Sequence, residues 1–185
     1  MKKIFSILAI FSFLLAACQK KPIISQNKSI HFKVETVVDD LEIPWGMAFL
    51  PNGSILIAEQ TGELILFHKG NKTLIEGVPE VYNNNQGGLL DIELHPNYAQ
   101  NGWIYFSYSS NLENKSEGGN TTIMRAKLID NKLVNQEVLY KAMPNTKKGQ
   151  HFGSRLEFDR DGYLYFSIGD RGNRDENPQD IKRDG

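Results

Sequence analysis

The chain has 185 residues, of which 40% are hydrophobic and 23% are charged, and its formal net charge is −1 at pH 7. These values are ordinary for a globular protein and exclude disorder as the main state. A near-neutral balance argues against nucleic acid as a partner, because nucleic-acid binding usually needs a basic face. The 16 glycines, with Phe, Tyr, Ile and Leu placed beside turn residues, favour an all-β fold.

The N-terminus has the pattern of an export signal. Met1-Lys2-Lys3 is basic, and the apolar run 4–15 is shorter than the roughly 20 residues that a transmembrane helix needs. Leu15-Ala16-Ala17-Cys18 then resembles a bacterial lipobox. We therefore expect a lipoprotein signal peptide over 1–17, lipid on Cys18 and a polar tether over 18–29. The mature protein would be exported and lipid-anchored at the bacterial cell envelope, on the periplasmic or outer-membrane face; an uncleaved anchor helix is the alternative.

The rest of the chain is predicted to form short strands joined by turns, and no stretch after the signal has helical spacing. The first strand is predicted around residues 30–38, where apolar and polar residues alternate. The strands predicted after it are 43–50, 54–59, 63–68, 72–75, 89–94, 103–108, 121–128, 132–140, 155–158 and 163–168.

These strands recur in groups. The turn glycines Gly53, Gly102 and Gly162 are spaced by 49 and 60 residues. Repeats of this size with several strands each suggest the blades of a β-propeller. Propellers close with roughly four to eight blades, whereas only about two and a half are predicted here. We therefore expect residues 30–185 to be the N-terminal part of a larger propeller domain.

The last predicted hairpin brings two chemically interesting residues together. Strands 155–158 and 163–168 flank an Asp161-Gly162 turn, so His151 before the hairpin and Asp170 after it can lie at one end. An imidazole and a carboxylate in that place could form an acid/base pair. From residue types alone, a loop histidine and a turn-capping aspartate are the favoured interpretation.

Gln86 occupies the position before strand 89–94 that corresponds to His151 before the next blade. Inter-blade connections often gather at one mouth of a propeller, so Gln86, His151 and Asp170 would face a common pocket. A flexible connection is the alternative for this Asn- and Gly-rich run. Elsewhere, His95 before Pro96 favours a turn role, and His68 is expected to face solvent. No zinc, EF-hand, nucleotide or serine-nucleophile motif is present in the sequence.

Three motifs, in order along the chain, resemble one family. They are Ile43-Pro-Trp-Gly-Met-Ala-Phe, then Gln86-Gly-Gly-Leu-Leu-Asp-Ile-Glu-Leu-His-Pro, then His151-Phe-Gly-Ser-Arg-Leu with Ile168-Gly-Asp-Arg-Gly. They resemble the PQQ-dependent soluble glucose/sorbosone dehydrogenases, a family that includes aldose sugar dehydrogenases. The resemblance extends from about residue 30 to residue 185 and implies a six-bladed β-propeller.

The resemblance implies oxidation of an aldose sugar to its lactone, with PQQ as cofactor and an external electron acceptor. His151 matches the general base, Asp170 matches the carboxylate that orients it, and Gln86 and His151 would contact the cofactor. The ligands of a PQQ-bound Ca²⁺ and the cations that hold PQQ are implied to lie mostly in later blades, so the chain alone would be inactive. Gln150 departs from the family, whose best-known members have an acidic residue before the histidine.

Two alternatives remain open at this point. A non-catalytic β-propeller lipoprotein could bind a glycan or a protein partner at the same mouth, since propellers host many functions. A lactonase-type hydrolase would need a metal site of Glu, Asn and Asp, and the sequence shows no such set. Later blades that lack Arg, Lys and calcium-ligating positions would favour the binding protein.

Overall fold

The computed structural model of the protein describes residues 32–111 and 118–184. The predicted signal peptide, the lipid-modified Cys18 and the tether lie outside the described residues. No helix in these two ranges has the length and apolar character that crossing a membrane requires.

The described residues belong to two units, with the boundary between Thr36 and Val37. Residues 32–36, the described part of the first unit, have no regular secondary structure, and no strand forms over 37–38 either. The prediction of a strand over 30–38 is therefore wrong for its described residues. Phe32 and Val34 are 83% and 84% exposed, so alternation of apolar residues has here produced no strand. A strand needs a neighbour to satisfy its N–H and C=O groups, which a sequence pattern alone does not supply.

The described residues of the second unit form three antiparallel sheets, and in each sheet neighbouring strands are consecutive in the chain. The first sheet comprises β1 (Pro44–Phe49), β2 (Ile55–Glu59), β3 (Leu64–His68) and β4 (Asn71–Leu74). The second comprises β5 (Leu89–Leu94), β6 (Trp103–Ser110), β7 (Asn120–Ile129) and β8 (Lys132–Lys141). The third comprises β9 (Gly153–Phe158) and β10 (Leu164–Ile168). Two four-stranded blades and half a third confirm the predicted partial β-propeller.

Within the described residues, two short helices lie in the connections. Helix α1 (Tyr98–Asn101) makes a single turn in the region predicted as a loop, and it ends at Gly102, whose φ of 68° is the left-handed conformation common at helix ends. A 3₁₀ turn at Asn177–Gln179 follows the third sheet. Neither helix displaces a predicted strand.

The hydrophobic core lies between successive sheets. The larger cluster joins the first and second sheets, and its fully buried members include Leu56, Ile104 and Ala126. A smaller cluster of Tyr105, Ile123 and Leu156 joins the second and third sheets. Burying an aliphatic side chain of this size contributes about 1.5–3 kcal/mol. Blade-to-blade packing is thus what fixes the position of the β9–β10 hairpin.

A buried carboxylate also joins the second and third sheets. Asp91 on β5 is 6% exposed, and its Oδ2 accepts a hydrogen bond of 2.8 Å from the Leu156 N–H on β9. The Ser107 hydroxyl on β6 accepts from the Asp91 N–H at 3.1 Å and donates to the Ser154 carbonyl at 2.7 Å. Because β9 starts two residues after His151, these bonds help to set where His151 lies.

Both ends of this stack of blades carry uncovered apolar side chains. Along β1, Trp45, Met47 and Phe49 occupy alternate positions and are 43–65% exposed. At the other end, Tyr163 and Tyr165 beside and within β10 are 68% and 62% exposed. Apolar residues at every second position of a strand are normally buried against another layer. The two faces are of the kind that neighbouring blades cover in a closed propeller.

Candidate functional site

The β9–β10 hairpin brings His151 and Asp170 into contact. Ile168 pairs with Gly153, so the chain enters and leaves the hairpin at the same end. His151 Nδ1 and Asp170 Oδ1 are 2.9 Å apart, and the two side chains are 53% and 21% exposed. A carboxylate only accepts hydrogen bonds, so Nδ1 carries the proton that is shared with Asp170. In the neutral ring, the basic nitrogen is then Nε2.

The main chain of His151 is held on both sides. Its φ of 56° lies in the left-handed region, which is uncommon for a residue with a side chain. The His151 N–H donates to Gln86 Oε1 at 2.8 Å, and the His151 carbonyl accepts from the Arg171 N–H at 3.0 Å. The Gln86 N–H also donates to the Gly149 carbonyl at 2.9 Å. Gln86 therefore lies with the pair, and its side-chain oxygen supports the unusual backbone of His151.

Asp170 is held in its ionised form. The pKa of its carboxyl is lowered, first by the hydrogen bond from the Gly172 N–H and then by the hydrogen bond with His151. The Gly172 bond is 2.6 Å long and ends on the same Oδ1 that meets His151. The Asp170 carbonyl accepts from the Asn177 side-chain amide at 2.8 Å. Asp170 can therefore orient the imidazole and stabilise its charged form without taking the proton.

Two glycines of the family-like motifs allow this close approach. A Cβ on Gly169 would lie 2.1 Å from the His151 carbonyl oxygen, and a Cβ on Gly88 would lie 1.9 Å from the Gln60 carbonyl oxygen. Neither separation is possible for real atoms without moving the backbone. Gly169 lets the two ends of the hairpin touch, and Gly88 lets the Gln86 connection lie against the first blade.

The other histidines lie outside this site. His95 Nδ1 accepts from the Asn97 N–H at 3.0 Å, which is the predicted turn role. His68 does not simply face solvent as predicted, because it is half-buried and its Nδ1 is 2.8 Å from the Ser54 hydroxyl. An apolar–polar alternation assigns a face to a residue, but it does not reveal a cross-strand hydroxyl. Within the two described ranges, no group of three or more His, Cys, Asp or Glu side chains is placed to hold a metal ion.

Sequence reasoning missed two residues that support the site. Asp91 carries a signal that could have found it, since an aspartate inside the apolar run Leu-Leu-Asp-Ile-Glu-Leu predicts a buried, hydrogen-bonded carboxylate. Arg171 gave no such signal. It follows Asp170 in a polar segment that resembles an exposed loop, yet it is completely buried.

Comparisons with known proteins identify the family of the chain. Residues 41–185 match the family described as Glucose / Sorbosone dehydrogenase. The Aldose sugar dehydrogenase YliI of Escherichia coli is 38% identical over 146 residues, which cover 76% of this chain and 39% of that protein. Quinoprotein glucose dehydrogenase B of Acinetobacter calcoaceticus is 27% identical over 158 residues, covering 80% of this chain and 33% of that protein.

A solved structure matches as well. The PQQ-bound aldose sugar dehydrogenase from Streptomyces coelicolor superposes with a TM-score of 0.70 at 28% identity, covering 82% of this chain and 45% of that one. The chain thus spans less than half the length of each of these proteins. The family match covers well over half of the chain. This chain belongs to the glucose/sorbosone dehydrogenase family.

Proposed function

We propose that this chain is the N-terminal part of a PQQ-dependent dehydrogenase that oxidises aldose sugars to lactones. The observation that carries the proposal is the 2.9 Å contact between His151 Nδ1 and Asp170 Oδ1 in a member of a sugar dehydrogenase family. The aldose substrate is proposed because the Escherichia coli relative is named as an aldose sugar dehydrogenase. A non-catalytic propeller would not require a histidine whose tautomer is fixed in this way.

His151 is the proposed general base. Its Nε2 makes no hydrogen bond within the described residues and belongs to a side chain that is 53% exposed, so it is accessible to a sugar hydroxyl. Nε2 would take the proton of the anomeric hydroxyl as the C1 hydride leaves. Asp170, which stays ionised, would stabilise the resulting imidazolium through Nδ1. A positioned base of this kind contributes roughly 10²–10⁴ in rate.

Gln86 and His151 fit a cofactor that accepts hydrogen bonds. Gln86 is an exposed residue whose side-chain oxygen accepts from the His151 N–H, and its amide NH₂ makes no hydrogen bond within the described residues. Gln86 and His151 would therefore contact PQQ from one side. When bound, PQQ would supply the quinone that receives the hydride. Arg171 is not available to it, because its guanidinium is buried against carbonyl groups.

The rest of the pocket is proposed to come from later blades. The chain spans less than half of its relatives, and its uncovered β1 and β10 faces are of the kind that further blades would cover. Those blades would contribute the cations that hold PQQ and the ligands of a Ca²⁺ ion bound with it. We therefore propose that residues 18–185 alone do not turn over and that reduced PQQ is reoxidised by an external electron acceptor.

The test is activity of the protein expressed from its complete reading frame. Addition of PQQ and Ca²⁺ should produce aldose-dependent reduction of an artificial electron acceptor, because the cofactor and the base then share one pocket. Residues 18–185 expressed separately should show none. Sugar binding by the complete, PQQ-loaded protein without any acceptor reduction would contradict the enzyme and support a non-catalytic binding protein.

We also propose that the protein is exported and lipid-anchored at the cell envelope. The support is the N-terminal sequence alone, with its basic start, short apolar run and Leu-Ala-Ala-Cys18. In a bacterial host, radiolabelled palmitate should be incorporated into the wild-type protein and not into Cys18→Ala. Equal labelling of both proteins would contradict the modification of Cys18.

A further inference from the structure

Arg171 lies directly behind the His151–Asp170 pair. It is 0% exposed and is the largest fully buried side chain among the described residues. Its Nη1 donates to the Gly169 carbonyl at 2.9 Å, and its Nη2 donates to the Asp184 carbonyl. Its Nε has no partner within the described residues. Both hydrogen bonds therefore end on peptide carbonyls, and one of these peptides joins Gly169 to Asp170.

The main chain of Arg171 holds the other half of the pair. Its N–H donates to the His151 carbonyl at 3.0 Å, and its own carbonyl accepts from the Thr146 hydroxyl at 2.8 Å. Its φ of 49° places it in the left-handed region. One residue thus binds the peptide that carries Asp170 and the peptide that carries His151.

An arginine is a costly way to fill a buried space. Burial lowers the pKa of its guanidinium, while the carboxylates of Asp184 and Asp170 raise it. An aliphatic side chain would occupy the same space without desolvating a charge or leaving Nε unpaired. What an aliphatic side chain lacks is a planar set of donors that can hold two carbonyls at fixed angles. The geometry therefore indicates a role in orientation rather than in packing.

We propose that Arg171 is a positioning residue for the proposed base. By fixing the Gly169–Asp170 peptide, it aims the Asp170 carboxylate at His151 Nδ1 and so leaves Nε2 as the nitrogen that can take a proton. Only the role of Nε2 as proton acceptor rests on the proposed function. The orientation of the pair itself can be measured in the absence of sugar and cofactor.

The experiment compares Arg171→Met and Arg171→Lys with the matched control Arg160→Met in the protein from its complete reading frame. Arg160 is exposed at the far turn of the same hairpin. Ring nitrogen-15 chemical shifts of His151, recorded without PQQ or sugar, report its tautomer. The wild type and Arg160→Met should show only the Nδ1–H form. Arg171→Met should show a mixture of both tautomers, and Arg171→Lys, which keeps the charge but loses the planar fork, should fall between them.

Steady-state kinetics of the PQQ-loaded proteins provide the second readout. Misplacing a catalytic group by about 1 Å costs up to roughly 100-fold, so Arg171→Met should lose about 10- to 100-fold in kcat with little change in KM. A folded Arg171→Met with a single Nδ1–H tautomer and wild-type kcat would overturn the proposal. If that variant does not fold, Arg171→Lys decides by the same criteria. A mixed tautomer in a protein that oxidises no sugar would leave the positioning role intact and refute only the proposed function.

Discussion

His151→Gln in the protein expressed from its complete reading frame should lose roughly 10²–10⁴-fold in kcat with aldose, PQQ and an artificial acceptor present. Glutamine can still donate to Asp170 from its amide, but it has no nitrogen that accepts a proton at neutral pH. The main-chain bonds to Gln86 and Arg171 involve the peptide groups of residue 151 and remain available to the variant. The loss should therefore fall on the chemical step.

His68→Gln is the matched control for this substitution. His68 lies on β3 in the first blade, where it meets the Ser54 hydroxyl, and a glutamine amide can replace that contact. It should retain wild-type kcat and KM. A His151→Gln variant that folds, binds PQQ and turns over at the rate of the control would show that another group is the base.

The pH profile of the wild type tests the role of Asp170 in the same assay. Because the pKa of its carboxyl is lowered, this carboxylate remains ionised at pH values where an ordinary aspartate is already partly protonated. The hydrogen bonds of the ionised Asp170 carboxylate stabilise the folded protein fully at pH values above the pKa that Asp170 has in the unfolded chain. This stabilisation is lost only as the pH falls through the lower pKa of the folded state. In the proposed reaction, protonation of Asp170 should therefore not limit the rate at mildly acidic pH.

The strands of this fold are predictable because the turns between them are explicit. Asn52-Gly53, Thr61-Gly62 and Asp161-Gly162 interrupt β-prone runs, and the strands lie between them as expected. The failure over residues 32–38 has the opposite cause. Its alternation is as regular as that of β1, but nothing in a sequence says which strand lies beside it, and an unpaired strand does not form.

The hairpin predicted that His151 and Asp170 can lie at one end, but it predicted neither their hydrogen bond as the favoured outcome nor the bonds that support it. A hairpin fixes which end two flanking residues share, and the sequence shows where the hairpin turns. The bond from the His151 N–H to Gln86 depends on a left-handed φ at His151 and on a connection 65 residues earlier in the chain. The burial of Arg171 depends in turn on the Asp184 carbonyl. Such contacts arise from tertiary packing, and no local pattern encodes them.

For Gln86, the family resemblance and the structure give different information that can be combined. The resemblance assigns it to the cofactor pocket, and the structure uses its side-chain oxygen to hold the main chain of His151. These two roles are compatible, because an amide has an oxygen for one partner and an NH₂ for another. Gln86 would thus contact both the proposed base, His151, and the proposed cofactor, PQQ.

Leu156→Ala should lower the free energy of unfolding by about 2–5 kcal/mol, the usual cost of removing a buried leucine side chain. Leu156 is 0% exposed and packs with Tyr105 and Ile123, where the third sheet meets the second. Asp91 accepts the Leu156 N–H within the same interface, so the backbone cannot easily shift to close the cavity.

The matched control is Leu74→Ala, the same substitution on β4, where the leucine is 56% exposed. A surface change of this kind usually stays within about 0.5 kcal/mol. Urea unfolding of the wild type and both variants, followed by tryptophan fluorescence, measures the difference. Because β9 begins two residues after His151, Leu156→Ala should also broaden the His151 ring signals, whereas Leu74→Ala should not. Equal losses of stability in the two variants would show that the packing of the second sheet against the third does not hold the hairpin in place.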